Sequence, residues 1–147
     1  MAHILLVDDE PEVLNALTRI LRKDYQITSF SSANEALEAI KHNLNTDAQF
    51  DLIISDIRMP HMDGIELLTH IYKIAPQMSR VLLSGYADME LCQSAIPENI
   101  AQIILSKPWD NFEIKTIINL LLELAHLKQE NLSLKNAQPS TLQNITI

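Results

Sequence analysis

The chain has 147 residues, 47% of them apolar and 20% charged, with a formal net charge of −8 and a pI near 5. That length and balance suit one soluble globular domain with a real core, and the acidity argues against a nucleic-acid or anionic-membrane surface. Cys92 is the one cysteine, so no internal disulfide can form, and no apolar stretch approaches the ~20 residues that span a bilayer.

The first apolar run, His3 to Val7, is short and continuous, as expected of a strand buried on both faces. It ends in Asp8-Asp9-Glu10 and has neither a basic flank nor a small-residue cleavage site, so no signal peptide is expected and the location is read as cytoplasmic. Pro11 suits a first helical turn, and Val13, Leu14, Leu17, Ile20 and Leu21 follow at helical spacing to about Lys23. Gln26 to Phe30 reads as a second strand. Ser31 or Ser32 then caps a helix with Ala33, Ala36, Leu37 and Ile40 inside, and Glu35 is placed for a capping box.

After a polar loop, Asp51 to Ser55 is a third strand that runs into Asp56. Arg58 to Gly64 is a turn-rich loop, followed by a helix with Ile65, Leu68 and Ile71 and then Pro76. Arg80 to Leu83 is a fourth strand ending at Ser84-Gly85. Asp88 starts a short helix with Met89, Cys92 and Ala95, which Pro97 cuts off. Ile100 to Leu105 is a fifth strand, Lys107-Pro108-Trp109 follows it, and Asp110 caps a long last helix. Strict alternation of strand and helix predicts an α/β fold, a doubly wound five-stranded parallel sheet with helices on both faces and an extended C-terminal helix.

In such sheets ligands bind beyond the carboxyl ends of the strands. Asp8 and Asp9, Asp56, Ser84 and Lys107 each stand at such an end, on strands one, three, four and five. Parallel pairing at ~4.8 Å brings the ends together. Carboxylates at ~4 Å repel by about 4 kcal/mol per pair at an effective dielectric of ~20, so the cluster takes up a proton or a cation. An all-oxygen site with one lysine and one hydroxyl suits magnesium shared with a phosphate group. Asp56 is then the expected nucleophile, Lys107 the counter-charge to a phosphoryl oxygen, and Ser84 a hydrogen-bond donor to another.

The segments Ile4 to Glu10, Ile53 to Pro60, Met62-Asp63-Gly64, Leu83-Ser84-Gly85 and Lys107-Pro108 resemble the receiver domains of bacterial two-component response regulators over roughly residues 2 to 125. The resemblance implies a flavodoxin-like sheet of order 2-1-3-4-5, Asp56 as phospho-acceptor, and Mg2+ held by Asp8 through water, by Asp9 and Asp56 directly, and by the Arg58 backbone carbonyl. It further implies Ser84 as the switch hydroxyl, Lys107 as the phosphoryl-binding lysine, a cis bond before Pro108, and a histidine kinase or phosphotransfer protein as partner. One position departs from the family: three residues before the lysine, where an aromatic is usual, stands Ile104. Arg58 and Tyr86 sit where the family varies its dephosphorylation rate. The Ser84-Gly85-Tyr86-Ala87-Asp88 and Lys107-Pro108-Trp109-Asp110 segments resemble receivers joined to HD-GYP phosphodiesterase, diguanylate cyclase or hydrogenase-regulator outputs.

The helical pattern outruns the receiver. Ile117, Leu124 and Asn131 fall at heptad position a, and Leu120, Leu127 and Leu134 at d, a two-stranded pattern. The expected division is a receiver domain over 1–125, a coiled-coil extension over 126–136 that makes a homodimer, and a flexible tail over 137–147.

Two other functions fit parts of the pattern. An aspartate-nucleophile phosphatase of the haloacid-dehalogenase type resembles Asp-x-Asp on strand one, whereas here the acidic pair is adjacent and Asp56 lies on strand three. A structural receiver-like module without phosphate chemistry would not need Asp8, Asp9, Asp56, Ser84 and Lys107 together. Trp109 and Cys92 read as packing residues, and the five scattered histidines do not read as metal ligands.

Overall fold

A computed structural model describes residues 1–137, the side chains of Tyr86, Met89, Asn136 and Ala137 apart. The elements are β1 (His3–Val7), α1 (Pro11–Leu21), β2 (Gln26–Phe30), α2 (Ala33–Asn43), β3 (Leu52–Asp56), α3 (Gly64–Ile74), β4 (Ser79–Ser84), a 3-10 turn (Tyr86–Asp88), α4 (Met89–Cys92), β5 (Ile103–Ser106) and α5 (Asn111–Ala137). The five strands form one parallel sheet in the order β2-β1-β3-β4-β5, as the resemblance implied. Of the tail expected over 137–147, Ala137 is the last residue of α5, and the remainder lies outside the described residues.

Period-two alternation splits the core into two layers. Leu5, Val7, Ile53 and Leu82 face α2, α3 and the Cys92–Ala95 segment, where Ala36, Leu67, Leu68 and Ile71 are fully buried. Ile4, Leu6, Leu52, Ile54, Val81 and Leu83 face α1 and α5, meeting Leu17, Leu21, Ile114 and Ile118. Helices cover both faces of the sheet, so the inner strands β1 and β3 are buried at every position, their polar residues His3, Ser55 and Asp56 included. The Tyr25 hydroxyl donates to the Asn119 side-chain oxygen, tying the start of β2 to α5.

The helix starts follow their capping residues. Ser32 Oγ accepts from the Glu35 backbone N–H at 3.2 Å, so Ser32 rather than Ser31 caps α2. Asp63 Oδ1 accepts from Glu66 N at 2.8 Å to start α3, and Asp110 Oδ2 accepts from Glu113 N at 2.9 Å to start α5.

β3 and β4 shift by one residue at their ends from those expected, and three boundaries differ by more. α1 stops at Leu21, two residues before Lys23. The short helix after β4 is only four residues long, because its following segment turns back: Asn99 takes φ of 63°, and the Ile100 and Ala101 N–H groups both donate to the Ala95 carbonyl. The same turn moves β5 forward to Ile103–Ser106. Ile100 and Ala101 are buried, so they look like strand residues in the sequence while belonging to a turn.

Arg80 explains how that turn is held. Its side chain is 1% exposed, and its guanidinium donates to the carbonyls of Ile100 (2.9 Å), Pro76 (3.0 Å), Met78 (2.5 Å) and Asn99 (3.2 Å). The Tyr72 ring lies 5.0 Å beneath it. Burial lowers the Arg80 pKa from its ordinary value.

Candidate functional site: an acidic pocket bridged by Lys107

Register alone brings the strand ends together. Val7 pairs with Ser55, so Asp8 follows β1 beside Asp56 at the end of β3. Asp56 pairs with Leu83, and Ser84 pairs with Ser106, so Lys107 emerges next to Ser84 and two strands from Asp56. The Lys107 N–H donates to the Ser84 carbonyl at 2.8 Å, and the Lys107–Pro108 peptide is cis. A long side chain then covers the remaining gap: Lys107 Nζ lies 3.0 Å from Asp8 Oδ2 and 3.0 Å from Asp56 Oδ1.

Asp8 and Asp56 are buried, whereas Asp9 and Glu10 are exposed at the rim. One carboxylate oxygen from each of these four lies within 4.8 Å of the others. The Glu10 N–H donates to Asp8 Oδ1 at 2.8 Å, which folds the acidic run back over the pocket. Glu10 was not expected in the cluster; its adjacency to Asp8-Asp9 was the available signal.

Four carboxylates face one ammonium, so the pocket is short of positive charge. Burial raises the pKa of Asp8, against the Glu10 backbone N–H and Lys107, which lower it. Burial also raises Asp56, Lys107 lowers it, and the Asp8 charge raises it further. Lys107 is pulled down by burial, but its bonds to Asp56 and Asp8 outweigh this and leave its pKa raised. An all-oxygen donor set with surplus negative charge fits a hard divalent cation.

Ser84 is buried beside the pocket. Its Oγ donates to the Gly85 carbonyl at 2.9 Å, and Cys92 Sγ lies 3.6 Å from it and 3.1 Å from the Asp88 carbonyl. The Arg58 side chain is directed to Asp88, forming an ion pair between the loop after β3 and the segment after β4. That pair was not foreseen. Ile104 packs against the layer containing Leu82 and Cys92, at the position where the family usually has an aromatic. Trp109 packs partly buried against the α1–α5 layer, as expected.

Gly64 has a role the sequence did not disclose. A Cβ built on it would fall 2.0 Å from the Asp56 carbonyl oxygen and 3.1 Å from Ile57 Cα. Its N–H donates to the Ile57 carbonyl at 2.8 Å, so the start of α3 presses directly on the backbone that presents Asp56. Only a residue without a side chain permits that approach.

This combination of a 2-1-3-4-5 parallel sheet and a lysine-bridged acidic pocket at its carboxyl edge is shared with known proteins. Residues 4–119 match the family model of the response regulator receiver domain. The hydrogenase transcriptional regulatory protein HoxA of Bradyrhizobium diazoefficiens is 28% identical over 127 residues, which are 86% of this chain and 25% of that regulator. The chain therefore spans about a quarter of that relative's length. Among solved structures, the adenylate cyclase from Rhodopirellula baltica superposes with a TM-score of 0.83 at 34% identity, covering 91% of this chain and 96% of that one. The signal receiver domain of an HD domain-containing protein from Pseudomonas fluorescens Pf-5 has a TM-score of 0.79 at 34% identity, covering 88% and 92%. The chain belongs to the response regulator receiver family, the phosphoryl-accepting signalling switches of two-component systems. A hydrogenase regulator and an HD-domain protein stand among its relatives, as the resemblance of its Ser84 and Lys107 segments implied.

Proposed function

We propose that the pocket transfers a phosphoryl group from a phosphohistidine of a kinase or phosphotransfer protein onto Asp56. The observation that supports this reading is the convergence of Asp8, Asp56 and Lys107, from three separate strands, within 3.0 Å contacts at the sheet's carboxyl edge. An Asp56 carboxylate oxygen bonds to phosphorus as the P–N bond of the donor breaks, leaving an acyl phosphate here and an imidazole that takes up a proton. Lys107 Nζ, already hydrogen-bonded to the nucleophile's carboxylate, then pairs with a phosphoryl oxygen.

Asp8, Asp9, Asp56 and the Arg58 carbonyl would hold Mg2+, which supplies positive charge to the phosphoryl oxygens when bound. Ser84 completes the site by turning its hydroxyl from the Gly85 carbonyl to a phosphoryl oxygen. That rotation withdraws one of the two partners of the Cys92 thiol, leaving the Asp88 carbonyl, and passes the state of the pocket to α4. Loss of the group occurs by self-catalysed hydrolysis, without turnover of an external substrate, in the cytoplasm where ATP-dependent kinases charge the donor.

Incubation with acetyl phosphate and magnesium, followed by intact mass measurement, tests the proposal. The wild type gains one phosphoryl group, whereas Asp56→Asn gains none. Labelling of Asp56→Asn to the wild-type level would remove Asp56 from the role, and sustained hydrolysis of phosphomonoesters would favour the phosphatase reading instead.

A further inference from the structure

α5 carries two apolar stripes. Ile114, Ile118 and Leu121 lie buried in the receiver's own core. At 3.6 residues per turn, a second stripe runs roughly 130° round the helix from the first: Leu120, Leu124, Leu127 and Leu134 are 60%, 47%, 54% and 63% exposed. Such a stripe has no partner within the described chain.

The charges beside it specify what covers it. In the heptad that places these leucines at a and d, Glu123 and Glu130 occupy g, and Lys128 and Lys135 occupy e; all four are exposed. No acidic residue lies three or four positions from either lysine on its own helix. In a parallel, in-register pair of helices, g of one copy faces the following e of the other. Glu123 then meets Lys128 of the second copy and Glu130 meets Lys135, with both pairs repeated by the two-fold axis. An antiparallel pair would set glutamate against glutamate and lysine against lysine. Asn131, the one polar residue at a, meets its own copy only in the parallel register.

We infer that α5 is a parallel, in-register homodimerisation surface whose orientation is set by the Glu123–Lys128 and Glu130–Lys135 pairs across the two-fold axis. The fold makes room for it. Leu122, Ala125, His126 and Gln129 line a cavity of about 580 Å³ with residues that precede β1, β3 and β4. α5 therefore leaves the domain at the amino edge of the sheet, opposite the acidic pocket. Both pockets of a dimer stay open to a phosphoryl donor, on the side away from the stem. Pairing through α5 is independent of phosphoryl transfer to Asp56.

Sedimentation or light scattering on the full chain at high micromolar concentration, with circular dichroism to confirm helix content, is the test. Wild type is expected at twice 16.7 kDa. The exposed-charge variants Glu123→Lys/Glu130→Lys and Lys128→Glu/Lys135→Glu each become monomeric, and their equimolar mixture returns to the dimer mass. Leu134→Cys forms an interchain disulfide on mild oxidation, while the wild type, whose Cys92 is buried, does not. A monomeric wild type, or charge variants that stay dimeric alone, would overturn the surface. A dimer in which Leu134→Cys does not cross-link would overturn its parallel orientation.

Discussion

Asp8 and Asp56 owe their raised pKa values first to burial, and Lys107 offsets that only in part. A carboxyl whose pKa rises on folding binds its proton more tightly in the native state. Its contribution to stability is therefore present at acid pH and is lost as pH climbs from the ordinary value near 3.8 through the native one. Above the ordinary carboxylate range, where the unfolded chain is ionised, the burial of both side chains therefore costs stability. In metal-free buffer at pH 7, Asp8→Asn is thus expected to be more stable than wild type by about 1 kcal/mol. The difference should shrink as the pH is lowered into the titration of the pocket. Urea unfolding across pH 4 to 7, with chelator and then with excess magnesium, measures it. Magnesium should stabilise wild type more than Asp8→Asn; an equal gain for both would separate Asp8 from cation binding.

At the scale of elements, residue pattern and structure agree where one physical cause dominates and part where two compete. β1 and β2 coincide with their apolar runs, and the caps at Ser32 and Asp110 were visible because a side-chain oxygen three residues before a free N–H is a local signal. Asp8, Asp56, Ser84 and Lys107 were legible for a similar reason: each interrupts an apolar strand at its carboxyl end. The turn around Asn99 was not legible, since Ile100 and Ala101 are apolar for burial rather than for pairing. Nor was Arg80, whose four carbonyl partners come from loops on both sides of β4. Arg58 and Asp88 lie far apart in sequence and meet only once both loops are placed. Such contacts leave no trace at short range. Arg80→Met keeps the bulk but strips donors from those carbonyls, and is expected to cost about 3 kcal/mol or more. Denaturant unfolding checks this, and a loss under about 1 kcal/mol would mean that water replaces the guanidinium without penalty.

For the molecule as a whole, α5 joins two bodies of unequal independence. Its first half is part of the core through Ile114, Ile118 and Leu121, whereas every residue from His126 to Lys135 is exposed. A free helix of that length is marginal in water, so its stability has to come from association or from the domain it grows out of. A chain ending at residue 125 keeps all of the buried contacts and the pocket. It should therefore unfold within about 1 kcal/mol of a monomeric full-length variant and still accept phosphate from acetyl phosphate. The full chain should differ in one respect: its melting temperature should rise with protein concentration, because association stabilises the native state by mass action. The shortened chain should melt at one temperature at every concentration. Thermal scans over a hundredfold range of concentration decide between the two behaviours. If the full chain is also insensitive to concentration, the second apolar stripe of α5 is not covered by another copy. If the shortened chain fails to fold, residues beyond Ala125 contribute to the domain in a way their exposure does not reveal.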